Sequence, residues 1–195
     1  MAVAARGGFM GNRGRLHDGD GRMVRRWQGK AWITCTLREK PGRVSPGVVP
    51  PNGYTRLFFH DEAVACAAGH RPCAECRRAA YDDFRHAWAQ VFGQRAMALE
   101  MDAVLHAARV DSATRGQRRH MARPSDLPAG AFILWRALPH LLRGADLLPY
   151  RPEGYGPPVQ MPDAEVGVLT PTPTLALMRS GWRPALCAAQ DRPNW

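Results

Sequence analysis

The chain has 195 residues, enough to bury one real core shared by two small lobes, and its 45% hydrophobic and 23% charged content excludes a disordered or fibrous protein. Its net charge of +10 rests on 27 basic residues, all arginine except Lys30 and Lys40, which points to a polyanionic partner, with nucleic acid first. No run of 18 apolar residues offers a membrane span, and the N-terminus lacks the apolar stretch of a signal peptide, so a cytoplasmic protein without a membrane partner is expected.

Residues 1–22 are rich in glycine and arginine and read as a loop, with a turn at Asp18-Gly19 or Asp20-Gly21. "KAWITCTL" alternates and is rich in β-branched and aromatic residues, so a strand is expected at about 31–38, carrying Cys35. A Pro/Gly-rich connection leads to "TRLFF", a second short strand. Asp61 is placed to cap a short helix, Glu62 to Ala68, that stops at Gly69. Pro72 suits a first helical position, which predicts a helix from Cys73 to Phe92. Tyr81, Phe84, Trp88 and Phe92 then form a core-facing stripe. Both thiols of Cys73-x-x-Cys76 fall in its opening turn, where the helix dipole favours thiolates.

Residues 96–110 read as an amphipathic helix or strand, followed by the basic loop "DSATRGQRRHMARPSD". Beyond it "AFILWR", "HLLR", "DLLPY" and "EVGVLT" read as short strands, interrupted by a proline-rich loop over 149–162, and "PTLALMRSGW" as a last short helix. The fold class expected is α+β: a small metal-stabilised α/β unit at 1–95 packed with a β-rich half at 96–195, as two domains or one continuous domain.

In a reducing compartment five cysteines, two of them spaced C-x-x-C, indicate metal or thiol chemistry ahead of disulfides. A thioredoxin-like motif needs a βαβ frame, and "GHRPCAECRR" has none. Structural zinc needs four Cys or His ligands, commonly two separated pairs, and Cys35 is the natural third beside Cys73 and Cys76. The fourth position is open to Glu39, to His17, His70, His106 or His120, or to a water. A closed site would be structural, an open one of catalytic type.

The run "AWITC", "YTRLFF", "DEAVACAAGHRPCAEC" resembles the N-terminal zinc domain of Ada-type DNA repair and regulatory proteins, over about a third of the chain. That family has a cysteine pair after a strand, an aromatic strand, an Ala-rich helix and "A-A-G-F-R-P-C-x-x-C". The resemblance implies that Cys35, Cys73 and Cys76 are zinc ligands, with Glu39 standing where the family has its other upstream cysteine. It also implies DNA as the partner ahead of RNA, in repair or regulation. In the family four cysteines hold the metal, and an upstream thiolate accepts a methyl group from a DNA phosphotriester.

Nucleic-acid contacts are expected from Arg13, Arg15, Arg25 and Arg26 in the N-terminal segment and from Arg115, Arg118, Arg119 and Arg123 in the basic loop. Trp27 and Trp32 flank the first strand, Trp32 as core and Trp27 open to base stacking. If the protein is an enzyme on nucleic acid, Cys35 as thiolate acceptor or His17 and Asp18 beside an open metal position are the candidate catalytic groups. A metal-stabilised module that binds a protein through "RPEGYGPP" is a further reading. No phosphate-binding P-loop, dinucleotide fingerprint, nucleophile elbow or zincin motif is present.

Overall fold

A computed structural model describes residues 7–37 and 53–187. The N-terminal sheet has four strands, β1 (Phe9–Asn12), β2 (Ile33–Thr36), β3 (Leu57–Phe59) and β4 (Arg71–Pro72), in the order β3-β1-β2-β4. β1 runs antiparallel to both neighbours, and β2 is parallel to β4. β1 lies inside the segment whose glycines suggest a loop. Gly11 is there for packing instead: a Cβ on it would come within 2.3 Å of the Phe59 ring.

Helix α1 (Glu62–Ala67) starts as its sequence predicts, with the Asp61 carboxylate accepting from the Val64 N–H at 2.9 Å. Gly69 follows at φ +80, where a Cβ would come within 2.5 Å of Arg109 Cδ, so left-handed backbone and close packing both require glycine. Helix α2 (Arg78–Phe92) begins at Arg78, not at Cys73. Pro72 belongs to β4, and the Cys73 N–H donates to the Thr34 carbonyl at 3.0 Å, so the backbone around the first thiol is spent on the sheet. The thiols therefore sit in a turn before the helix and not in its opening turn. Tyr81, Phe84 and Trp88 are buried as expected, while Phe92 at the helix end is 41% exposed.

The ambiguous segment after residue 96 is a helix, α3 (Ala98–Arg109). The C-terminal part is an antiparallel sheet of β5 (His120–Ala122), β6 (Phe132–Trp135), β7 (Leu138–Arg143), β8 (Asp146–Arg151), β9 (Gly154–Tyr155), β10 (Val159–Gln160) and β11 (Val166–Val168). Its order is β10-β8-β7-β6-β11-β5, with β9 also on β8, and helix α4 (Thr172–Arg179) follows. The proline-rich stretch 149–162 thus contains two short strands rather than only loop. Between β6 and β7, Arg136 and Ala137 both take positive φ, +49 and +61, the type I′ geometry of a two-residue hairpin. The protein is α+β, with its larger sheet in the C-terminal half.

Three hydrophobic clusters hold these layers together, and each draws on both sides of residue 95. Tyr81, Phe84 and Trp88 of α2 pack with Met101 and Leu105 of α3 and Leu177 of α4. Ala63 and Ala67 of α1 pack with Phe132, Leu141 and Leu148 of the large sheet. Cys66 is fully buried among Ile133, Leu142 and Leu147.

A buried ion pair crosses this interior. Arg71 of β4 donates from Nε and Nη2 to the two carboxylate oxygens of Asp102 in α3, at 2.9 and 2.7 Å, and from Nη1 to the Pro72 carbonyl. Both side chains are at most 4% exposed. Removing one partner strands a buried charge, which typically costs about 3–5 kcal/mol, whereas replacing both with apolar residues is far less damaging. We therefore expect Asp102→Ala to lose about that much stability in urea denaturation. The double variant Arg71→Met/Asp102→Leu should recover most of the loss.

Candidate metal centre and basic cleft

The parallel register of β2 and β4 brings the first two thiols together. Ile33 pairs with Arg71 and Thr34 with Pro72, so the next step along both strands sets Cys73 beside Cys35. Residues 73–77 then turn back, with the Arg77 N–H donating to the Cys73 carbonyl at 3.2 Å, and deliver Cys76 to the same place. The three sulfurs lie within 4.8 Å of one another. Metal–sulfur bonds of about 2.3 Å in a tetrahedral site separate sulfurs by roughly 3.8 Å, so the triad fits a single thiophilic ion with small adjustments.

The protons in this cluster are unequally shared. A hydrogen bond from the Cys35 thiol, helped by the N–H groups of Cys76 and Glu75, holds Cys73 down to about 5. The same bond, with burial and the Cys73 charge, pushes Cys35 far up. Burial raises Cys76. At neutral pH the metal-free triad is one thiolate and two thiols.

Among the described residues no histidine or carboxylate joins the three sulfurs within that distance. His17 is engaged by Thr55, Nδ1 to Oγ1 at 2.6 Å, and Asp18 accepts from the Asp20 and Arg22 N–H groups to close the predicted turn. His70 is wedged between Trp32 and Phe59, His106 packs edge-on to Trp27, and His120 lies in β5. Glu39 lies outside the described residues. Arg77, next to Cys76, is fixed by Glu62 at 2.7 Å and by the Phe9 ring.

The predicted arginines divide into groups. Arg13, Arg25, Arg26 and Arg115 line one cleft of about 510 Å³ together with Trp27 and Trp32. Arg118 lines a neighbouring recess of about 460 Å³ in which Trp27 is again a wall. Arg15 and Arg119 are exposed outside both, and Arg123 is spent on Asp163 at 3.1 Å. Two hairpin-like excursions form the cleft. In one, Leu16 is buried and its carbonyl accepts from Val24 and Arg25; in the other, Asp111 accepts from Thr114 and donates its N–H to Gly116.

Sequence reasoning missed Arg109, at the end of α3 and 2% exposed. Its guanidinium lies 3.9 Å from the Trp32 ring centre and donates to the carbonyls of Gly69 and Lys30. Arg13 lies 4.6 Å from the same ring. Burial lowers Arg13 to about 10 and Arg109 to about 9, and His70 beneath them is kept neutral by burial and by both charges. The available signal was position: Arg109 shares the α3 face of Met101, Asp102 and Leu105, all buried.

Family models, characterised proteins and solved structures return no match to this chain.

Binding a metal through all three sulfurs requires the two thiol protons to leave. Metal uptake near pH 7 should therefore release about two protons per ion from Cys35 and Cys76, measurable by titration calorimetry in buffers of different ionisation enthalpy. Elemental analysis should find one ion per chain, lost in Cys35→Ser, Cys73→Ser and Cys76→Ser and retained in His17→Ala.

Proposed function

We propose that the chain is a zinc-binding protein that binds nucleic acid, DNA ahead of RNA, through the arginine and tryptophan cleft. The carrying observation is convergence. Arginines from the segment 13–26 and from position 115 meet on one cleft with two tryptophans, and no carboxylate lines it among the described residues. Guanidiniums recognise phosphate by paired N–H donors, and indole faces accept unstacked bases.

Zinc is the metal favoured by the donor set, since a thiolate-rich, nearly tetrahedral arrangement selects it over harder cations. The resemblance to the Ada-type zinc domain supports the same choice. When bound, the ion supplies a cross-link between β2 and the turn that leads into α2, a structural role. β2 links the two regions: Trp32, just before it, and Cys35 within it are separated by about 10 Å of strand at 3.3 Å per residue. Thiol ligation at one end steadies the aromatic floor of the cleft at the other.

Phosphate contacts make binding fall with salt, with a log–log slope of about −0.9 per phosphate neutralised on duplex DNA. Arg26→Ala/Arg115→Ala should weaken binding of a short duplex and flatten that slope by about 1.8. Arg123→Ala, whose charge is already paired, should leave it nearly unchanged. Binding that is insensitive to salt in the wild type would refute the reading.

A further inference from the structure

The cleft runs from an exposed rim to a buried floor. Arg25, Arg26 and Arg115 are exposed, whereas Arg109 and Trp32 are 2% and 5% exposed. Two cations, Arg13 and Arg109, stand at this floor against one indole ring, and among the described residues neither is in an ion pair. The carboxylate whose field reaches Arg109 is that of Asp102, which Arg71 holds with both its oxygens. The Nε atoms of Arg13 and Arg109 are buried with no acceptor. A floor with two unneutralised guanidiniums is unfavourable by itself, and an anion seated there removes the deficit.

We propose that this floor is a receptor for a terminal phosphate monoester, with the base of the attached nucleoside lying against Trp27. The proposal rests on the nucleic-acid reading above and names the part of the polymer that the cleft takes. A phosphodiester brings one negative charge and must continue on both sides. A monoester brings nearly two at neutral pH and ends, so it matches the two cations of the floor and needs no path out of it. Guanidiniums suit it because their fork donates to two phosphate oxygens at once.

The wall above the floor is arranged for a flat ring. Trp27 lines both the cleft and the neighbouring recess, with the Arg115 guanidinium 4.8 Å from its centre and His106 at its edge at 4.6 Å. Arg115 is held at φ +56, left-handed backbone that is unusual for a side chain of this kind and that gathers at ligand clamps. The 111–116 turn that imposes it is closed by Asp111, which accepts from the Thr114 N–H and hydroxyl.

The test compares a short single-stranded DNA bearing a 5′-phosphate, its 3′-phosphorylated isomer and the unphosphorylated strand, together with a nucleoside monophosphate, by fluorescence anisotropy and tryptophan quenching. At least one phosphorylated end should bind ten-fold or more tightly than the hydroxyl strand. Arg13→Met should reduce that ratio to near one, and Trp27→Ala should weaken all strands. Arg13 is chosen over Arg109 because Arg109 also ties Gly69 and Lys30 together. Equal binding of all three strands by wild type would overturn the monoester receptor and leave the nucleic-acid reading standing. Binding of the monophosphate alone, abolished in Arg13→Met, would uphold the receptor and overturn the polymer. No binding of any of the four at low salt would overturn both.

Discussion

The two-pronged contact between Arg71 and Asp102 is the constraint on which both candidate sites depend. It ties β4, which ends against Cys73, to α3, which ends at Arg109 and leads into the loop of Arg115. The pair is buried on both sides, so neither charge can turn to solvent without leaving the other uncompensated. Its geometry thus sets the position of one thiol on one side and of the floor of the basic cleft on the other. The third donor of Arg71, to the Pro72 carbonyl, adds a local clamp directly before Cys73.

The metal centre shows how little regular structure a thiol cluster needs. A two-residue parallel pairing and one backward turn suffice, because consecutive residues of neighbouring strands are placed by the ladder and not by their own propensity. Sulfur proximity, helped by the Cys76 and Glu75 N–H groups and by burial, concentrates the charge on Cys73 and the proton on Cys35.

The basic cleft follows a different logic. Protein interiors tolerate buried charge when it is paired, and Arg71 and Arg77 obey this with Asp102 and Glu62. Among the described residues Arg13 and Arg109 have no such carboxylate partner. Arg109 is held instead by the carbonyls of Gly69 and Lys30 and by the Trp32 ring.

Much of this protein was legible from residue order. The capped helix from Asp61, the apolar stripe of α2, the short strands of the C-terminal half and the grouping of Cys35 with Cys73 and Cys76 all rest on patterns of periodicity, capping and spacing. Other features lay beyond such patterns. β1 was hidden because Gly11, which suggests a loop, is required by the Phe59 ring from another strand. The start of α2 was misplaced because Pro72 suits both a first helical turn and an edge strand, and a hydrogen bond from Cys73 to Thr34 decides between them. Arg109 was overlooked because its meaning comes from Trp32, Gly69 and Arg13, brought to it by packing. The sequence by itself determined the α+β character, the excess of positive charge and the three thiols. Only the tertiary structure decided which arginines are paired and which face the cleft, because pairing depends on distances between segments that no local pattern encodes.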